Sequence, residues 1–190
     1  MKWFIASDIH GSLYYAKKML DAFNKENADK MLLLGDILYH GPRNDLPRDY
    51  NPKEVITLLN EMSDKIIAVR GNCDAEVDQM VLNFPIMADY TLIYDSGISV
   101  FATHGHKFFN DNLPSVNFDV LLCGHTHVPK NEKYENYTYI NPGSVSIPKE
   151  NSHHGYVIFE NGKFTFKDFD ENEIEIWHFA SFLLECIRKL

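Results

Sequence analysis

The sequence predicts one α/β domain that spans residues 1–190. Short apolar runs typical of buried strands alternate with helical patterns in the first part of the chain, and the later part is predicted to be mostly strands. The sequence contains no internal repeat, low-complexity tract or linker. A chain of 190 residues is long enough to bury a proper core in one domain.

The N-terminal part is predicted to contain a strand, a helix and a second strand. Residues 2–7 and 31–35 are apolar runs of strand length. Between them, a helix is predicted from about Ser12 to Lys25, because four apolar residues follow helical spacing: Leu13, Ala16, Leu20 and Phe23.

A second helix follows a long loop, residues 39–50, which contains two prolines. Asn51 is the predicted N-cap, Pro52 occupies the first helical position, and Glu54 completes a pattern like a capping box. The apolar stripe of this helix consists of Val55, Ile56, Leu59 and Met62. A third strand is predicted over residues 65–70.

The remaining sequence is predicted to be irregular over residues 74–88 and then mostly strands. Asp74 is predicted to cap the next helix, with orientation of the groups beside Cys73 as the alternative. The predicted strands are 91–95, 98–103, 119–123, 136–141, 155–160 and 163–169. Asp95-Ser96-Gly97 and Glu160-Asn161-Gly162 are typical hairpin turns. The tail from Ile176 to Leu190 has a helical pattern.

Composition and charge argue against several functions. The formal net charge of −9 argues against a nucleic-acid polymer as partner, because such partners require clustered Lys and Arg. The apolar stretch before Asp8 is too short for a signal peptide, and no segment approaches a membrane span, so we expect a cytoplasmic protein without membrane contact. Cys73, Cys123 and Cys186 are widely separated, which argues against a thiolate zinc site.

Five short clusters of metal-binding residue types follow apolar runs along the chain. They are Asp8-Ile9-His10, Gly35-Asp36, Gly71-Asn72, His104-Gly105-His106 and Gly124-His125-Thr126-His127. Open α/β sheets present reactive groups at the carboxyl ends of their strands. The clusters therefore predict a metal site that is assembled at one sheet edge.

The residue types in these clusters suit a polynuclear site. Asp8 and His10 can both turn into one site at a strand end, and the two oxygens of Asp36 could bridge two ions about 3.5–4 Å apart. Asn72 offers a neutral carbonyl oxygen, and imidazoles come from His104, His125 and His127. Oxygen and nitrogen donors without thiolate favour Mn²⁺, Fe²⁺ or Zn²⁺. Paired ions of this kind activate water for attack on a phosphate.

In this order, the five clusters resemble the motifs of the calcineurin-like metallophosphoesterases over nearly the whole chain. The resemblance is closest to the small bacterial phosphodiesterases of the YfcE type, because longer segments agree: residues 7–12, 40–44, 70–74 and 141–148. It implies a four-layer α/β/β/α sandwich of two mixed sheets flanked by helices. It also implies a homodimer or homotetramer.

The resemblance further implies a ligand set for two divalent ions, Mn²⁺ in the first place and Zn²⁺ or Fe²⁺ as alternatives. One ion is expected to bind Asp8, His10, Asp36 and His127. The other is expected to bind Asp36, Asn72, His104 and His125, so that Asp36 bridges the two. The expected catalytic residues are Asp36, Asn72, Cys73 and His104.

Three further residues concern the substrate. Many relatives carry His where this chain has Cys73, and a neutral thiol is a poorer acid than imidazolium. We therefore expect a preference for esters with good leaving groups. Arg43, in the two-proline loop, could reach a phosphate oxygen or be a solvated charge. His106 could contact substrate or brace its loop.

These observations predict a metal-dependent phosphodiesterase that hydrolyses a small phosphodiester by means of a hydroxide activated by two metals. A phosphomonoesterase or nucleotidase with the same metals is the first alternative. The second is a scaffold like the retromer subunit of the same fold. The full ligand set argues against a scaffold, because buried Asp8 and Asp36 repel each other without cations.

Overall fold

The computed structural model describes residues 1–109, 112–170 and 172–178 and confirms the α/β class. Its helices are α1 (Leu13–Glu26), α2 (Pro52–Asn60) and the short α3 (Glu76–Gln79), with a 3-10 turn at Ser63–Lys65. As predicted, the side chain of Asn51 caps α2 by accepting a hydrogen bond from the backbone of Glu54 at 3.4 Å. None of the helices in the described part of the chain has the length and apolar character that a membrane span requires.

Six strands form the first sheet. Three of them are parallel neighbours: β1 (Trp3–Ala6), β2 (Lys30–Leu33) and β3 (Ile66–Ala68). The other three, which pair antiparallel, are β9 (Gly155–Glu160), β10 (Lys163–Asp168) and β11 (Glu173–His178). The strand order is β11-β10-β9-β1-β2-β3, so β1 lies near the middle.

Five strands form the second sheet, which is also mixed: β4 (Tyr90–Asp95), β5 (Ile98–Thr103), β6 (Val120–Leu122), β7 (Pro129–Lys133) and β8 (Thr138–Pro142). The strand order is β4-β5-β6-β8-β7. Strands β5, β6 and β8 are parallel, and the edge strands β4 and β7 are antiparallel to their neighbours.

Two apolar cores hold the sheets and helices together. Alternate residues of β1 separate them, since Phe4 packs with Ala16 of α1 and Leu59 of α2, whereas Ile5 packs with Val100 of the second sheet. The outer face of the second sheet is covered by aromatic side chains, among them Phe101, Phe108, Phe118, Tyr137 and Tyr139. Both long helices thus lie on the six-stranded sheet.

Two strands and one helix depart from the sequence-based prediction. Strand β7 was not predicted, because Pro129–Lys133 is polar and lacks apolar alternation. The helix predicted from Ile176 is wrong for residues 176–178, which belong to β11. The rest of that predicted helix lies outside the described residues. Helix α3 occupies part of the stretch predicted to be irregular.

Candidate metal centre

The seven predicted metal ligands lie together at one end of the two sheets. Asp8 and His10 follow β1, Asp36 follows β2, and Asn72 follows β3. His104 follows β5, and His125 and His127 follow β6. Because β1, β2 and β3 are parallel neighbours, as are β5 and β6, their carboxyl ends meet at one edge of each sheet.

Five of these residues have a left-handed backbone, with φ between 50° and 67°: Asp8, His10, Asp36, His125 and His127. This conformation costs roughly 1–2 kcal/mol for a residue other than glycine. Backbone hydrogen bonds hold it, since the His10 amide donates to the Asp36 carbonyl at 2.9 Å and the Asp8 amide to the Gly35 carbonyl at 3.1 Å. Such strain typically marks functional sites.

Asp8, His10 and His127 form a group that we call the buried half of the centre, because each is at most 3% exposed. Nδ1 of His10 donates to the Tyr39 carbonyl at 2.7 Å, and Nδ1 of His127 donates to the Ile147 carbonyl at 2.9 Å. The Nε2 atoms of the two rings therefore face each other, 3.2 Å apart, and two unprotonated nitrogens at this distance would both be acceptors. Only a shared cation or proton makes that arrangement favourable.

Asp8 offers the clearest test of whether these residues fit a metal ion. Its Oδ2 accepts hydrogen bonds from the Ser7 hydroxyl at 2.6 Å and the His125 amide at 3.0 Å. Its Oδ1 is buried without a hydrogen-bond partner in the described part of the chain and lies 3.1 Å from Nε2 of His127. A buried carboxylate oxygen is costly unless it is paired or coordinates a metal. The buried half thus fits a divalent cation.

Asn72, Cys73 and His125 form a second group, the open half, whose side chains are partly or fully exposed. His104 connects this half to the core: its Nδ1 donates to the Leu34 carbonyl at 2.7 Å, and its Nε2 lies 3.1 Å from Oδ1 of Asn72. Nδ1 of His125 lies 3.2 Å from the same Nε2. These facing acceptor atoms also fit a cation.

Asp36 lies between the two halves. Its Oδ2 is 3.7 Å from Nε2 of His10 and 3.5 Å from Nε2 of His104, while its Oδ1 accepts a hydrogen bond from the Cys73 amide at 2.7 Å. Ligand atoms of Asp8, Asp36 and His104 lie within 4.8 Å of one another, as do those of Asp8, His10 and His127. A carboxylate in this position could be shared by two ions.

Charge couples these groups in the metal-free protein. Burial alone raises the pKa of both Asp8 and Asp36, but the neighbouring histidines outweigh it and lower both pKa values. Burial alone lowers the pKa of His104, but Asp36 and Asp8 raise it to about 9. The site therefore concentrates negative charge that attracts protons or cations.

Asp74 holds the Asp36 loop, although the sequence predicted that it would cap a helix. Its buried carboxylate accepts hydrogen bonds from the backbone amides of Asp36, Ile37 and Gly71, at 2.8, 2.9 and 2.7 Å. The capping prediction is wrong because the carboxylate points at the β2 and β3 loops. Asp74 thus positions Asp36 by holding the backbone of its loop.

Two glycines allow the loops of the centre to approach closely. A Cβ atom at Gly71 would collide with the Asp36 carboxylate, and one at Gly124 would collide with the Ser7 hydroxyl. Asn141 holds the loop that contains Gly124, because its side-chain amide donates to the Gly124 carbonyl at 2.7 Å. Glycine at these positions is a condition for assembling the site.

An open cleft of about 460 Å³ adjoins the centre. Four of the predicted ligands line it: Asp36, Asn72, His125 and His127. Arg43 also lines it, as the sequence-based prediction of a substrate contact requires. Lys149 lines it as well, and no motif or spacing in the sequence pointed to that residue.

Cys73 and His106 differ in their relation to the cleft. Cys73 lines it, and burial, together with Asp36, raises the pKa of its thiol to about 12. His106 is absent from the lining; its ring lies 5.3 Å from that of His104, and its Nδ1 is buried without a hydrogen-bond partner among the described residues. Burial and the charge of His104 lower the pKa of His106 to about 4.

Two mixed sheets that bring carboxylate, amide and imidazole groups to one edge define a metal-dependent phosphoesterase fold. Residues 1–163 match the calcineurin-like phosphoesterase superfamily domain, and the chain belongs to this family of phosphate-ester hydrolases.

Known proteins support this assignment. The chain is 49% identical to phosphodiesterase YfcE of Escherichia coli strain K12 over 162 residues, which cover 85% of this chain and 88% of the relative. A solved structure of YfcE, described as a phosphoesterase from E. coli, matches with a TM-score of 0.89 and 45% identity and covers 93% of this chain and 98% of that chain. Vps29 from Chaetomium thermophilum matches in fold, with a TM-score of 0.60 at 15% identity over 93% of this chain and 94% of that chain.

Proposed function

We propose that this protein is a phosphodiesterase that binds two divalent cations, with Mn²⁺ as the native metal. The position of Asp36 between the buried and the open half carries the proposal, since its Oδ2 lies within 3.7 Å of histidine nitrogens on both sides. The similarity to phosphodiesterase YfcE supports the choice of a diester. Oxygen and nitrogen donors suit Mn²⁺, and Zn²⁺ or Fe²⁺ are the alternatives.

Each ligand has a proposed place. Asp8, His10, Asp36 and His127 would hold one ion, and Asp36, Asn72, His104 and His125 the other. When bound, the ions neutralise the phosphate and lower the pKa of the attacking water. Carbonyl groups orient His10, His104 and His127 by accepting from their Nδ1 atoms, which keeps Nε2 available.

The reaction is a direct displacement by water. The water oxygen forms a new bond to phosphorus, and the ester bond to the leaving group breaks. The leaving oxygen takes the bonding electron pair. A proton from water then goes to that oxygen or, for a weakly basic aryl oxide, to solvent. Asn72 and His104 lie beside the reacting phosphate in this scheme, and Arg43 binds the substrate from the cleft wall.

Cys73 limits the choice of leaving group in this proposal. A thiol with a pKa of about 12 is a poor general acid at neutral pH, so good leaving groups such as aryl oxides are favoured. Replacing Cys73→His should narrow the ratio between the kcat/KM values for an aryl and an alkyl phosphodiester. An unchanged ratio would contradict this role. Cys123→Ala is the matched control, because Cys123 is a buried thiol outside the cleft and its replacement should leave the ratio unchanged.

The proposed function is tested with metal-stripped protein and two substrates, bis(p-nitrophenyl) phosphate and p-nitrophenyl phosphate. Without metal, we expect no hydrolysis of either substrate. After Mn²⁺ is added, we expect the diester to be hydrolysed faster than the monoester. A preference for the monoester would identify a phosphomonoesterase. Failure to cleave either compound with Mn²⁺, Zn²⁺ or Fe²⁺ would contradict an enzymatic role.

A further inference from the structure

Resting on the proposed function, we infer that the cleft beside the metal centre binds a second phosphate group of the substrate, between Arg43 and Lys149. The preferred substrate is then a phosphodiester that carries another phosphate close to the one that is hydrolysed. Both cationic residues line the same cleft as Asp36 and His127. Lys149 acquires a function that its sequence context did not suggest.

The two cations are attached to different sides of the centre. Lys149 is tied to the buried half, because its backbone amide donates to the His127 carbonyl at 3.0 Å. Arg43 is tied to the open half through its loop, since a Cβ atom at Gly41 would lie 3.2 Å from Sγ of Cys73. The amide of Asn44 donates to the His40 carbonyl at 2.8 Å and closes that loop. A group between the two cations would therefore lie next to the scissile phosphate.

Neither cation forms an ion pair with an acidic side chain within residues 1–109, 112–170 and 172–178, although the chain carries a net charge of −9 and Asp36 lines the same cleft. Some other basic residues are paired: Lys2 lies 2.8 Å from Glu26, and Lys107 lies 2.7 Å from Asp89. Two unpaired cations in one cleft of an acidic protein favour an anionic ligand.

The positive charge also exceeds what a simple phosphodiester needs. Two divalent ions held by the carboxylates of Asp8 and Asp36 would leave two positive charges, which balance the single charge of a diester and the charge of the attacking hydroxide. Arg43 and Lys149 are therefore available for a further anion. Arginine binds phosphate through a planar pair of donors, and lysine acts as a point charge.

Thr126 forms part of the wall of the same cleft. Its Oγ1 accepts hydrogen bonds from the Asn141 amide at 3.0 Å and from the Val128 backbone at 3.3 Å, and its side chain also hydrogen-bonds to Tyr139. These bonds fix the wall between the two cations. A guanidinium and an ammonium suit the several oxygens of a terminal phosphate.

The test uses two substrates with the same scissile bond. One is the p-nitrophenyl ester of thymidine 5′-phosphate, and the other carries an additional 3′-phosphate. With Mn²⁺-loaded protein, we expect a kcat/KM at least about tenfold higher for the second compound, the effect of one charge-assisted contact. Lys149→Gln and Arg43→Gln should each reduce this ratio, the double variant should bring it near one, and Lys149→Arg should retain most of it.

Lys53→Gln is the control, because it removes one positive charge from the exposed first turn of α2, away from the cleft. It should leave the ratio unchanged. Calorimetry with the products provides a readout without turnover. Thymidine 3′,5′-bisphosphate should bind at least about tenfold more tightly than thymidine 5′-phosphate, Lys149→Gln should reduce this difference, and the double variant should abolish it.

The outcomes separate the inference from the proposed function. Cleavage of both esters at equal rates, or a preference that survives the double variant, would overturn the second phosphate site and leave the phosphodiesterase proposal intact. No metal-dependent cleavage of either ester or of bis(p-nitrophenyl) phosphate would overturn both. A preference that Lys53→Gln reduces as strongly as Lys149→Gln would show general electrostatic attraction and would also overturn the site.

Discussion

The buried and the open half of the proposed metal centre contain similar metal-binding residue types in different surroundings. Asp8, His10 and His127 are buried, and backbone carbonyls orient the two histidines, whereas Asn72, Cys73 and His125 are more exposed and line the cleft. Burial holds the side chains of the buried half in one geometry, whereas the exposed side chains of the open half are accessible to substrate. We therefore expect the buried half to bind its ion more tightly and the open half to provide most of the contact with substrate.

The largest expected effect comes from Asp36→Asn, which removes the charge shared by the halves. We expect kcat to fall about 1,000-fold or more, on the scale of losing a principal electrostatic contact in the transition state. The metal content per chain should fall as well, while circular dichroism remains unchanged. Asp45→Asn, an exposed carboxylate in the loop after β2, should retain full activity. Full activity of Asp36→Asn would refute the shared site.

The next prediction compares His127→Ala with His125→Ala. Each should weaken the binding of one Mn²⁺ ion by more than about 100-fold. Loss of a metal ligand should reduce affinity more than loss of a residue that only hydrogen-bonds to a ligand, which typically costs about 10–100-fold. His127→Ala should also lower the free energy of unfolding of the metal-free protein by more than His125→Ala, since it leaves the Ile147 carbonyl without its donor. Metal analysis and urea unfolding test both points. Equal losses of stability would remove the distinction between the halves.

A smaller effect is expected for Asp74→Asn, which weakens the support behind Asp36. Its carboxylate accepts three backbone hydrogen bonds, so we expect a loss of about 2–4 kcal/mol in the free energy of unfolding. The kcat of the remaining folded protein should also fall. Asp78→Asn, which removes a single acceptor for the Ala75 amide, is the control and should cost less. Equal costs would argue against the positioning role.

The pH dependence of metal binding gives the mildest test. In the metal-free protein, burial lowers the pKa of His104, but Asp36 and Asp8 raise it, so that the pKa is about 9. An ion must displace that proton, so affinity for Mn²⁺ should rise about tenfold per pH unit from pH 7 to about 9 and then level off. The same proton stabilises the metal-free fold below a pH of about 6.5, and this contribution is lost as pH rises through 9. Affinity independent of pH would contradict a protonated His104.

The clustering of the proposed ligand residues at one edge of the sheets was predictable because each follows an apolar strand, and parallel strands bring their carboxyl ends together. The sheet edges were harder to predict. Strand β7, Pro129–Lys133, is an edge strand rich in charge, and edge strands are kept polar to avoid aggregation. The alternating residues 173–176, Glu-Ile-Glu-Ile, did carry a strand signal for β11, which the helical pattern of the tail obscured.

The roles of Asp74 and Lys149 could not be obtained from local patterns. Asp74 acts on Asp36 across 38 residues of chain, and Lys149 reaches the cleft by a backbone hydrogen bond to His127. Both depend on how loops from different strands pack together. The spacing of residues in the sequence predicts where a strand ends. It does not predict which loop from another strand packs against that end.

The most direct test of the shared Asp36 is electron paramagnetic resonance during titration of metal-free protein with Mn²⁺. We predict two ions per chain and, at full occupancy, an exchange-coupled signal that Asp36→Asn abolishes. Independent Mn²⁺ spectra at full occupancy, or a single ion per chain, would contradict a centre in which Asp36 bridges the buried and the open half.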